Sequence, residues 1–78
     1  MNLIRFKKVQ QKVGTGRSTT YSQISEGLLP KPVSIGSRAV AWPEHEIDSI
    51  IKARIAGKSD DEIRDLVRKL EAARKEAA

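Results

Sequence analysis

The sequence predicts a mostly α-helical domain with a small β-hairpin, in the order of a winged helix-turn-helix, followed by an amphipathic C-terminal helix. Three observations predict it. Two short stretches of helical periodicity are separated by Gly14 and closed by Gly27; the period changes to two between Val33 and Trp42; helical periodicity then returns after Pro43 and again after Ser59. A chain of 78 residues makes one domain, near the lower limit for a single core without staples. Residues 1–57 read as the winged helix-turn-helix unit, and 58–78 as a helix that packs on it or mediates self-association.

Each element has its own local signal. Leu3-Ile4 is a short apolar run suited to an edge strand. In "KKVQQKV" Val9 and Val13 lie four apart on one helix face, with Phe6 three before Val9, and Gly14 ends the helix because glycine accepts the left-handed conformation after a last turn. A second helix is expected from Arg17 to Glu26, with Thr15 or Gly16 as N-cap, Gly27 as the stop, and Tyr21, Ile24 and Leu28 as its inward stripe. Such a pair, joined by a glycine-containing turn, is a helix-turn-helix, whose second helix presents its first turn to base edges.

Pro30 and Pro32 keep that helix from running on. Val33 and Ile35 alternate with Ser34, Gly36-Ser37 supplies a turn, and Val40 and Trp42 alternate with Ala41 on the inward parity. Pro43 suits the first position of a third helix, where Glu44 and Glu46 meet the positive end of the dipole and Ile47, Ile50, Ile51 and Ile55 share one face up to Gly57. Ser59 and Glu62 are spaced for a capping box. The final helix carries Ile63, Leu66, Val67, Leu70 and Ala73 on one stripe and Asp60/Arg64, Asp65/Lys69 and Glu71/Lys75 as ion pairs of i,i+4 spacing.

Charge is segregated along the chain. Residues 1–42 hold seven Lys/Arg against Glu26 alone, whereas residues 43–78 hold eight basic and nine acidic side chains, so +6 and −1 make up the net +5. A basic half beside a balanced half is the footprint of a polyanion binder, because Lys and Arg near phosphates release condensed counterions. Cysteine is absent, which excludes disulfides and thiolate metal sites. No apolar run approaches the roughly 20 residues of a membrane span, and "MNLIRFKKVQQ" lacks the apolar core of a signal peptide. A cytoplasmic protein is expected.

Gly14, "RSTTY" (Arg17 to Tyr21), Gly27, Pro30, "PV" (Pro32-Val33), "IGSR" (Ile35 to Arg38), "VAW" (Val40 to Trp42) and Glu46-Ile47 together resemble the AlpA family of phage and genomic-island regulators, within the larger MerR/excisionase-like group. The resemblance covers about residues 3–56. Gly16 stands where that family usually has a Ser or Thr cap, and Thr20 where it usually has an aliphatic. The resemblance implies sequence-specific binding to double-stranded DNA, with activation of integrase expression or, as a recombination directionality factor, direct assistance to prophage excision. Integrase is then an expected partner, and self-association on adjacent sites is expected because one recognition helix buries limited surface.

The residues supply the means. Arg17 and the hydroxyls of Ser18, Thr19, Thr20 and Tyr21 stand at the start of the second helix, where they can meet phosphates, and Arg17 also suits guanine O6 and N7. Ser37 and Arg38 mark the hairpin turn, from which Arg38 can enter a minor groove or hold a phosphate; Lys12 and Lys31 are further phosphate candidates. Tyr21 reads equally as a core ring with its hydroxyl at the rim, and Trp42 reads as a structural anchor. Lys7, Lys8 and Lys12 also fit a solvated helix face.

Catalysis finds no comparable pattern. The lone histidine, His45, begins "HEIDS", which has Ser49 where a zinc-binding H-E-x-x-H needs its second histidine. No G-x-S-x-G, S-x-x-K or phosphate loop ending in Gly-Lys-Ser/Thr is present. Neither a cofactor nor a small-molecule substrate is expected. The rival to DNA binding is a protein-interaction module that docks through the stripe of the final helix.

Overall fold

The computed structural model describes residues 2–76; residues 1, 77 and 78 lie outside them. The elements run β1 (Leu3–Ile4), α1 (Phe6–Val13), α2 (Arg17–Ser25), β2 (Val33–Ser34), β3 (Val40–Pro43), α3 (Glu44–Ile55) and α4 (Asp60–Ala73), with a 3₁₀ turn at Arg74–Glu76. The chain is mostly helical with a small antiparallel sheet, the architecture expected of a winged helix-turn-helix.

The sheet has three strands in the order β1-β3-β2. Leu3 faces Pro43 and Ile4 faces Trp42 on one side of β3, while Val33 faces Ala41 and Ser34 faces Val40 on the other. The edge strand at Leu3-Ile4 therefore exists, and it fastens the N-terminus to the base of the hairpin. The bond from the Ile35 amide to the Ala39 carbonyl, 2.9 Å, closes the hairpin around Gly36, Ser37 and Arg38.

Helix boundaries follow local chemistry. Gly14 (φ 73°, ψ 26°) is left-handed and its amide donates to the Gln10 carbonyl at 2.8 Å, which caps α1 without the steric cost a Cβ would bring. Gly27 and Gly57 stop α2 and α3 in the same region of φ. Ser59 caps α4 with both bonds of the capping box: its hydroxyl accepts from the Glu62 amide, and its own amide donates to the Glu62 carboxylate.

Val9, Leu28, Leu29, Trp42, Ile47, Ile50, Ile63 and Val67 form one core, to which Ile4, Phe6, Val13, Ile24, Ile51, Leu66 and Leu70 add partly buried surface. Trp42 is its largest member, and its indole Nε1–H donates to the Pro30 carbonyl at 2.9 Å. That bond fixes the proline-rich approach to the hairpin against β3. Arg64 ties α4 to α2 by donating from Nε to the Glu26 carbonyl at 2.9 Å.

Several side chains depart from the sequence expectation, each for an identifiable reason. Val40 has the parity of Trp42 but is 42% exposed, because it pairs with Ser34 on the tip side of the hairpin, beyond the reach of the core. Ile55 is 81% exposed in the last turn of α3, outside the core that Ile47 and Ile50 join. Pro43 is the N-cap of α3 and the last residue of β3 rather than the first helical residue. Ala73 is exposed. The expected i,i+4 ion pairs of α4 are replaced: Asp60 takes Arg54, Arg64 takes Asp61, Asp65 takes Arg68, and Glu71 accepts from the Lys31 amide. Short i,i+3 reach and the neighbouring helix compete successfully with the i,i+4 partners.

Candidate nucleic-acid interface

The turn before α2 is built to leave its first residues free. Gly16, the N-cap, has extended backbone (φ −74°, ψ 172°) and no side chain to occupy the helix amides. No acid lies in the first turn. Arg17, Ser18 and Thr19 stand at the positive end of the helix dipole, and all three residues are exposed.

Thr20 is the exception among the candidates at this helix start. It is fully buried, its hydroxyl donates to the Gly16 carbonyl at 2.7 Å, and a second hydroxyl–hydroxyl bond of 2.7 Å joins it to Thr15. Its position facing the core, with no surface of its own, removes it from the residues available to a ligand. It locks the turn instead. The inward face of α2 is Thr20 and Ile24, followed by Leu28: Ile24 and Leu28 lie where expected, and Thr20 takes the place expected of Tyr21.

Tyr21 is 47% exposed and stacks on Phe6 of α1, with ring centroids 4.6 Å apart and planes inclined by 16°. Phe6 leans in turn on Trp42 at 5.8 Å and 45°. The Arg17 guanidinium carbon lies 5.7 Å from the Phe6 centroid and 5.6 Å from that of Tyr21, inside cation–π range of both. The start of α2 is thus connected to the hairpin base through three rings. Sequence reading took Phe6 only as a core residue at helical spacing from Val9 and missed its place beside Arg17. Aromatic contacts between different helices leave no local pattern to read.

Lys12 is engaged within the protein. Its Nζ lies 2.9 Å from Glu44 and 2.7 Å from Asp48, both on α3. Hydrogen bonds to Asp48 and then to Glu44 raise the Lys12 pKa above its ordinary value, and the bond from Lys12 is the first cause that lowers the Glu44 pKa. Lys12 therefore clamps α1 to α3 rather than standing free as a phosphate contact, a correction to the sequence reading. Among the described residues, the other six cations of the basic half, Arg5, Lys7, Lys8, Arg17, Lys31 and Arg38, take part in no ion pair.

The remaining candidates fall into separate places. Ser37 and Arg38 are exposed together at the hairpin tip. Lys31 is exposed on the loop between α2 and β2, where its amide donates to Glu71 at 2.8 Å and its carbonyl accepts from Arg74 at 2.7 Å, so the end of α4 holds its backbone. Ser18 and Thr19 also border an open depression of about 610 Å³ that continues along α2 past Ser22 and Gln23 to Arg54 and Asp60. Ser22 and Gln23 line it one turn beyond Ser18 and Thr19.

Comparison with known proteins identifies a family. Residues 2–55 match the family described as "Prophage CP4-57 regulatory protein (AlpA)". The chain is also 38% identical over 55 residues to "Uncharacterized protein ORF88" of Enterobacteria phage P4, a match spanning 70% of this chain and 62% of the phage protein. The family match takes in the sheet, the helix-turn-helix and α3 up to its last residue, and stops short of α4. The chain belongs to the AlpA family of prophage regulatory proteins.

Proposed function

We propose that the protein binds double-stranded DNA in a sequence-specific manner and regulates prophage or genomic-island genes, or acts as an excisionase-like directionality factor on the same kind of site. The observation that carries this reading is the start of α2: uncapped, free of acids, and lined by exposed Arg17, Ser18 and Thr19. Such a helix end attracts phosphate through its amides and dipole, and arginine adds bidentate recognition of guanine. The cations of the basic half that form no ion pair among the described residues supply the sequence-independent attraction. Ser37 and Arg38 at the hairpin tip, and Lys31 beyond the other end of α2, are proposed to hold flanking backbone.

In this reading residues 1–57 are the DNA-binding unit. The helix from residue 58 onward supports it, and more than one copy on adjacent sites gives useful specificity, with an integrase as the functional partner. The rival reading, docking of a partner on the stripe of α4, is weakened because Ile63 and Val67 lie in the core, with Leu66 and Leu70 packed against it.

The test is selection of duplexes from a randomised pool, followed by fluorescence anisotropy across a salt series. Enrichment of a common motif, with affinity falling steeply as salt rises, is the expected result. Absence of any salt-dependent retention would remove the proposal.

A further inference from the structure

From the position of Arg17 against two stacked rings we infer that Tyr21 is a specificity-determining positioning residue: its ring, not its hydroxyl, presets the Arg17 guanidinium for a base edge. The inference rests on the DNA-binding reading and deepens it.

The geometry distinguishes Tyr21 from a simple phosphate donor. Tyr21 and Phe6 lie face to face at 4.6 Å, and the Arg17 guanidinium is nearly equidistant from both centroids, at 5.6 and 5.7 Å. Arg17 and Tyr21 are four residues apart, so they are neighbours on one helix face. Phe6 is anchored from below by buried Trp42. The rings are therefore a fixed support, and the half-exposed Tyr21 is the member nearest solvent.

A long arginine on an exposed helix otherwise loses much rotamer freedom when it pairs with a guanine. Contact with the rings confines it before binding while its donors stay unpaired by any acid among the described residues. Because a phosphate tolerates many approach directions and a guanine edge accepts few, this confinement favours specific over general binding.

The experiment uses the full chain, a duplex enriched from a randomised pool by the wild-type protein, and a scrambled duplex of the same composition. Tyr21→Leu, which keeps an apolar cover on Phe6, is expected to lower the ratio of specific to scrambled affinity about three- to tenfold, with the salt slope unchanged. Tyr21→Phe, which restores the ring without the hydroxyl, is expected to return the ratio to that of the wild type. In the free protein, proton NMR is expected to show ring-current shifts on the Arg17 side chain that persist in Tyr21→Phe and shrink in Tyr21→Leu. Equal losses in the two variants would assign the effect to the hydroxyl and overturn the inference, as would an equal fall on both duplexes. If the pool yields no enriched duplex, the DNA-binding reading itself fails, and the inference falls with it whatever the NMR shifts show.

Discussion

Arg74 reaches back from the end of α4 to grip Glu46 in the first turn of α3, with Nη2 2.6 Å from Oε1 and Nε 2.9 Å from Oε2. Glu46 is only 1% exposed, so its carboxylate depends on this two-point bond for its compensation. The same guanidinium donates to the Lys31 carbonyl at 2.7 Å, while Glu71 accepts from the Lys31 amide. One arginine thus joins α4, α3 and the loop that leads from the helix-turn-helix to the hairpin. The Glu46 bond is also the first cause that raises the Arg74 pKa above its ordinary value.

Removing that clamp strands a buried carboxylate. Arg74→Ala is expected to lower stability by about 1–3 kcal/mol, because the Glu46 carboxylate it leaves has little access to water. Lys75→Ala, at the exposed neighbouring position, is expected to stay within about 0.5 kcal/mol of the wild type. Urea denaturation of the two variants makes the comparison. Equal midpoints would mean that the Arg74 bond adds nothing to the hold on α4.

Trp42 and Arg38 separate folding from recognition along a single hairpin. Trp42→Ala is expected to cost about 3–5 kcal/mol, and Trp42→Phe about 1–3 kcal/mol through the Pro30 carbonyl left without its donor. Arg38→Ala is expected to leave the melting temperature unchanged while weakening DNA binding, since Arg38 is exposed and forms no ion pair among the described residues. Thermal melts and anisotropy on the same samples check both halves.

The Lys12–Glu44 pair gives stability a defined pH dependence. Glu44 titrates below its ordinary 4.5 in the folded chain, chiefly because Lys12 donates to it and Asn2 adds a second bond. Its contribution is complete above that value and is lost as pH falls through the folded pKa. Lys12, raised above its ordinary 10.5, contributes fully below that value and loses its contribution as pH rises through its folded pKa. Lys12→Gln is therefore expected to flatten both limbs of a melting-temperature profile. A residual acid limb is expected to remain from Glu62, which the Ser59 amide and then its hydroxyl hold below the ordinary value. An unchanged acid limb in Lys12→Gln would show that the ion pair carries no stability.

What the sequence made legible was local. The left-handed Gly14, the Ser59/Glu62 capping box and the change of period at the hairpin each depend on residues within a few positions of one another, and each was found where expected. What it concealed was distant or geometric. Lys12 and Asp48, Arg74 and Glu46, and Phe6 and Tyr21 are remote in sequence, and no periodicity signals their meeting. Thr20 was misplaced for a related reason: a hydroxyl in a serine- and threonine-rich helix start looks like its exposed neighbours until its two internal bonds are seen. Glu46 looked like a helix-dipole residue, and only the approach of α4 turned it into a buried partner.

The most direct test of the account compares Arg17→Ala with wild type on a selected duplex and on a scrambled one, each across a salt series. The account expects a loss of about 1–3 kcal/mol on the selected duplex, relaxed preference at one base position, and little change on the scrambled duplex. Binding of both duplexes that is unaffected by Arg17→Ala would contradict it, because the start of α2 would then not be the surface that reads DNA.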